Sequence, residues 1–146
     1  DSPRKALLDF IGVAEGADYN TLFGGAKMPL TKMTIGEASM MADYNRAKGG
    51  ANFSTAMGKY QIIQETLQRA MKGVGLTNED LFSEENQDKL ANWIIDNEGG
   101  GGTDAAKLSA IWASLPKDAS GAGTYDGVGM NKARVSWDDL QKVLGQ

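Results

Sequence analysis

The sequence predicts an α+β fold in which helix dominates. Capped segments with apolar residues at helical spacing, a single short strand-like stretch and the lack of any repeat period together lead to that class. Ser2-Pro3 opens the first segment, with Ser2 as cap and Pro3 at the first helical position, and Leu7, Leu8, Ile11 and Ala14 form its apolar stripe before Gly16. From Tyr19 to Pro29 the pattern becomes strand-like between turn residues, and Leu30 to Met33 is expected to pair with it in a small hairpin or irregular lobe. Thr34 and Glu37 form a capping box ahead of a helix from about Ile35 to Lys48, closed by Gly49-Gly50. After a loop of small residues, Tyr60 to Ile63 leads into a helix through Leu67, Ala70 and Met71 that Gly73 is expected to end. Thr77 and Ser83 read as two further N-caps, the second opening a helix through Leu90, Trp93, Ile94 and Ile95 to the glycines at 99–102. A helix over Leu108 to Leu115 is expected to stop at Pro116, Gly121 to Met130 is a glycine-rich loop, and Ser136 caps a last helix ending at Gly145.

A chain of 146 residues fits one domain, here 1–146, and 41% apolar with 23% charged residues suffices for a core. With no cysteine and no histidine, Ser-His and Cys-His relays, disulfides and the common zinc sites cannot be built. No cofactor or metal is expected, and acid–base chemistry falls to carboxylates with shifted pKa values. A net charge of −4 without a basic stripe argues against nucleic acid, and no apolar run reaches the roughly 18 residues of a membrane span. A soluble monomer is expected, with Asp1 marking a processing or cloning boundary.

Glu15 is the most informative residue. It lies four positions after Ile11 and eight after Leu7, so a helix puts its carboxylate on the core-facing stripe, where burial disfavours the anion. The last helical turn adds the negative end of the dipole, and both effects favour a protonated acid near neutral pH. The alternative is a Glu at a frayed helix end, turned out to solvent.

Five blocks in order carry a family resemblance. Arg4-Lys5-Ala6 leading into Ala14-Glu15-Gly16, Tyr19-Asn20-Thr21-Leu22-Phe23-Gly24-Gly25, Gly58-Lys59-Tyr60-Gln61, Phe82-Ser83 with Gln87-Asp88, and Ile111-Trp112-Ala113-Ser114-Leu115-Pro116 together resemble the lambda-phage endolysin family. The resemblance covers residues 4 to about 125. It implies the lysozyme-superfamily fold, a helical lobe and a small β-containing lobe flanking a groove for a peptidoglycan glycan strand. It also implies cleavage between N-acetylmuramic acid and N-acetylglucosamine, in the periplasm or cell wall, by an exported bacterial protein or a phage-delivered domain. The family's catalytic Glu at the end of the first long helix falls on Glu15.

Such a glycosidase protonates the glycosidic oxygen and passes through an oxocarbenium-like state. In lytic transglycosylases the muramic acid 6-hydroxyl then attacks, the same Glu acts as base, and a 1,6-anhydro sugar results without a second carboxylate. A hydrolase would use a second carboxylate roughly 5 to 9.5 Å away. The positions that carry Asp and Thr after the catalytic Glu in T4-type lysozymes are Gly24 and Leu30 here, so that triad is absent. Asp18 is the nearest acid and reads equally as a solvated turn residue. The lack of a second acid favours transglycosylase chemistry over muramidase hydrolysis.

Asn20 stands where the resembling family has Asp, which removes a charge near the acid and leaves open a module that binds glycan without cutting it. Tyr19, Asn20, Tyr60, Gln61 and Tyr125 are the candidate substrate-binding residues. Tyr60 would pack its ring on an N-acetyl sugar and Gln61 would bond the acetamido group, or Tyr60 simply fills core. Tyr125 sits in the glycine-rich loop after Pro116, a segment able to close over a ligand and equally often a plain connector. Trp93, Trp112 and Trp137 read as core residues, Met28, Met33, Met40 and Met41 as adaptable core filling, and Glu37 as a cap residue.

Overall fold

A computed structural model describes residues 2–146, and Asp1, the expected boundary, lies outside the described residues. The chain divides into two compact units, one of residues up to Glu15 with Ile94–Gln146, the other Gly16–Trp93. The described elements are mainly helical: α1 (Pro3–Glu15), α2 (Ile35–Gly49), α3 (Gln64–Val74), α4 (Glu84–Glu98), α5 (Ala105–Ile111) and α6 (Trp137–Leu144). Among the described residues no helix is long and apolar enough to cross a membrane.

In the first unit, the Ser2 hydroxyl accepts the Lys5 N–H at 3.1 Å and starts α1 as its sequence implies. Leu7, Leu8, Ile11 and Ala14 are buried along one stripe, and Gly16, at φ 65°, ends the helix. α1 packs against α6, whose cap is the Ser136 hydroxyl accepting the Asp139 N–H at 3.1 Å. Asp104 caps α5 through the Lys107 N–H at 3.1 Å. α5 stops at Ile111, ahead of the expected Pro116, and the chain continues extended through Trp112 (φ −113°, ψ 100°). Trp112 is 2% exposed and Leu115 fully buried, so both stay in the core although the helix has ended.

In the second unit, the Thr34–Glu37 capping box is present, with Glu37 N–H donating to Thr34 Oγ1 at 3.1 Å and Thr34 N–H to Glu37 Oε1 at 2.8 Å. Gly73 does not end α3. The helix runs to Val74 and is closed by the left-handed Gly75, while Gly73 gives room to the Trp93 indole, 2.0 Å from where a Cβ would stand. Ser83 caps α4 through the Asn86 N–H at 3.1 Å, but Thr77 opens only a turn, in which its own N–H donates to Asp80 Oδ2 at 2.7 Å.

Among the described residues the expected β component is present as isolated bridges. Thr21 pairs with Lys27 and Leu22 with Met57, which also pairs with Ile62. Leu30 to Met33 does not join that stretch: Leu30–Lys32 is a 3₁₀ turn after Pro29, which has no N–H to give a ladder, and fully buried Leu30 anchors it. Among the methionines, Met57 and Met71 fill core, whereas Met40, expected inside, is 71% exposed on α2.

Candidate active site

Glu15 is the last residue of α1 and is half-buried. The Ser114 hydroxyl donates to its Oε2, and the Ser114 backbone N–H also favours the ionised carboxyl. Ser114 is 5% exposed on the segment after α5, and its carbonyl accepts the Arg134 N–H at 2.8 Å. Burial is the largest influence on the acid and raises its pKa above the ordinary 4.5; the Ser114 bonds and the Arg134 charge oppose it. The net result is a carboxylic acid that keeps its proton to higher pH than a solvated one.

The same unit carries Tyr125, 40% exposed, in the segment between Pro116 and Arg134. Pro116 bridges to Gly123, and the Thr124 N–H and hydroxyl each meet the Ser109 hydroxyl at 3.0 Å, so the base of this glycine-rich segment is fastened to α5. Val128 and Met130 of the same segment are also exposed.

In the second unit, one carboxylate gathers two phenols. Asp88 Oδ1 accepts from Tyr19 at 2.9 Å and from Tyr60 at 2.5 Å, and the two rings meet edge to face at 6.2 Å. The Lys59 ammonium lies over both rings, 4.9 Å from Tyr19 and 5.5 Å from Tyr60. Burial and the bond to Asp88 push both phenol pKa values up. Tyr60 is 1% exposed, so of the pair Tyr19 is the one that keeps exposed surface.

Behind this cluster, fully buried Gln87 donates from Nε2 to the carbonyls of Tyr19 and Phe82, both at 3.0 Å, and accepts the Lys59 N–H at 3.0 Å. Gly58 makes that possible: it sits at φ 81°, and a Cβ there would stand 2.4 Å from Gln87 Oε1. Gln61 is at φ 45°, and its Nε2 donates to the carbonyls of Thr21 at 3.0 Å and Gly58 at 2.8 Å. Asn20 Oδ1 accepts from the Thr31 N–H at 3.0 Å and the Thr31 hydroxyl at 3.1 Å. Asp18 is committed to its own turn: it pairs with Lys27 at 3.0 Å, accepts from Thr21 and the Asn20 N–H at 2.8 Å, and is held down to about 2.

The sequence matches the Endolysin family over residues 5–142. The chain belongs to this family. Its fold is that of bacteriophage lambda lysozyme, solved in complex with a chitohexasaccharide: 23% identity, a TM-score of 0.63, and coverage of 99% of this chain and 93% of that one. A search among curated protein sequences finds no match. Membership makes this endolysin a peptidoglycan glycosidase rather than the glycan-binding module that Asn20 left open.

Sequence reasoning singled out Glu15 but not Ser114, Arg134, Asp88 or Gln87 as its supporting groups and those of the tyrosines. Ser114, Gln87 and Asp88 lie inside the blocks that carried the family resemblance, which was the available signal. Arg134 lies outside every block and no local pattern marks it.

Proposed function

We propose that this endolysin is a lytic transglycosylase that cleaves the β-1,4 bond between N-acetylmuramic acid and N-acetylglucosamine, with residues 1–146 acting as one peptidoglycan-cleaving domain. Glu15 gives its proton to the glycosidic oxygen as the C1–O bond breaks. The muramic acid O6 then attacks C1 of the oxocarbenium-like sugar, and the Glu15 carboxylate takes the O6 proton, which restores the acid and leaves a 1,6-anhydro product. Every proton moved by the enzyme passes through this one carboxyl. The observation that carries the reading is the state of Glu15: half-buried, bonded by Ser114 and held above the ordinary carboxylate pKa. Asp18, bound into its own turn as a permanent anion, gives little support to a second catalytic carboxylate.

Tyr19, Asn20 and Tyr125 are proposed to touch the glycan, since each retains exposed surface. Tyr60 and Gln61 are proposed to serve binding from behind, by fixing Tyr19 through Asp88 and the Gly58 turn. The site of action is proposed to be the bacterial cell wall, reached by export or phage delivery.

Mass spectrometry of sacculi digested by the protein tests the reaction. Anhydro-muropeptides are the expected product; reducing-end muropeptides without anhydro sugar would assign hydrolysis instead. Glu15→Gln is expected to keep its fold and to lose cleavage by about 10²–10⁴-fold, the usual contribution of a general acid.

A further inference from the structure

The Ser114 hydroxyl donates to the Glu15 carboxyl. The carboxyl ends a helix whose remaining stripe is aliphatic, so α1 itself offers nothing to hold the carboxyl's rotation. The holding group comes instead from a buried serine on the segment after α5, and only Oε2 accepts its hydroxyl. That contact holds Oε2 against Ser114 Oγ and so restrains the rotation of the carboxyl. Ser114 is in turn gripped from the other side, where its carbonyl takes the Arg134 N–H at 2.8 Å. Residues 114 and 134 bracket the glycine-rich segment that bears Tyr125, and Pro116 and Gly123 bridge just inside this junction.

We propose that Ser114 is a positioning residue for the catalytic acid: its hydroxyl fixes the orientation of the Glu15 carboxyl, and its carbonyl ties that acid to the base of the 116–134 segment. The inference rests on the assignment of Glu15 as the acid. Among the described residues, Arg134 is the charged group that acts on Glu15. On α1 itself, Lys5 and Asp9 pair with each other at 2.9 Å; on the packed helix α6, Asp138, Asp139 and Lys142 contribute no such effect, and Asp126 accepts the Ala133 N–H at 2.9 Å.

The Ser114 hydroxyl stabilises the Glu15 anion, so its removal makes the carboxyl a weaker acid. In Ser114→Ala, measured as turbidity loss of purified sacculi across pH, the alkaline limb of kcat/KM is expected to move to higher pH by about one unit, the size of one charge-assisted hydrogen bond. The maximum is expected to fall about ten-fold as the carboxyl loses its fixed orientation. Ser114→Thr, which keeps the hydroxyl, is expected to restore the limb. A carbon-detected NMR titration of the Glu15 carboxyl is expected to show the same upward shift in Ser114→Ala without substrate. Salt separates the two neighbours: the limb shift in Arg134→Gln fades at high ionic strength, whereas the Ser114→Ala shift persists. An alkaline limb and a carboxyl titration that stay in place in Ser114→Ala overturn the proposal, whatever happens to the rate. Cleavage retained by Glu15→Gln overturns the assignment of the acid instead, so the two failures are told apart.

Discussion

The Ser114 hydroxyl donates to Oε2 of Glu15 from a position 99 residues further along the chain. A long closure of this kind is entropically costly, and the bond opposes the burial that raises the pKa of the acid above 4.5. The folded state then binds a proton more tightly than the unfolded chain. The stability associated with Glu15 is therefore fully present below about 4.5, the unfolded value, and is lost as pH rises through the higher folded value.

From this, Glu15→Gln is expected to be more stable than the parent at pH 7, and the gap is expected to close at pH 4. Thermal unfolding of both proteins at the two pH values measures it, at about 2–4 °C in Tm per kcal/mol for a domain of this size. A parent protein more stable than the variant at pH 7 would contradict the sign.

Asp18 carries the opposite shift. Lys27 first, then the Asn20 N–H and the Thr21 hydroxyl, hold it down to about 2, so its contribution is present above the unfolded value of 3.8 and is lost as pH falls through about 2. Because the pair is exposed, Asp18→Asn is expected to cost less than about 1 kcal/mol at pH 7. Its cleavage rate is expected to stay within about two-fold of the parent, since an anion bound into a turn does no acid–base work at neutral pH. A rate loss of a hundred-fold with the fold intact would restore Asp18 as a second catalytic carboxylate.

Asp88 satisfies two phenols at once, and one of them belongs to a tyrosine that is 1% exposed. Asp88→Ala leaves a buried hydroxyl without its acceptor and is expected to cost about 2 kcal/mol, some 4–8 °C in Tm. Tyr60→Phe removes donor and demand together and is expected to cost about half as much. Tyr19→Phe is expected to raise KM for sacculi more than it lowers Tm, which calorimetry and initial-rate assays separate.

Gly58→Ala combines a steric clash with backbone strain. The new Cβ would stand 2.4 Å from Gln87 Oε1 and 2.9 Å from the Phe82 ring, at φ 81°, where a non-glycine residue is strained. A loss of about 2–4 kcal/mol is expected from the clash and the backbone together, read by denaturant midpoint. Gly75→Ala, at φ 78° with nothing within 4 Å, carries only the backbone strain and is expected to cost about 1–2 kcal/mol.

Much of this protein was legible in local sequence because its causes are local. Ser2, Thr34, Ser83 and Ser136 each cap a helix by bonding an N–H three residues ahead, and the stripe that buries Ile11 and Ala14 also identified Glu15. Where neighbours far along the chain compete with a local rule, the sequence reading went astray. Gly73 reads as a helix end but accommodates Trp93, and the Leu30 to Met33 stretch reads as a strand partner but is turned by Pro29 and the burial of Leu30. Composition and spacing determined most of the helices and the class of chemistry, and spacing with the family resemblance singled out Glu15 as the candidate acid. The tertiary structure alone decided what surrounds that acid, because desolvation and a directed hydrogen bond depend on which distant atoms come within about 3 Å of it, and neither Ser114 nor Arg134 has any local relation to Glu15.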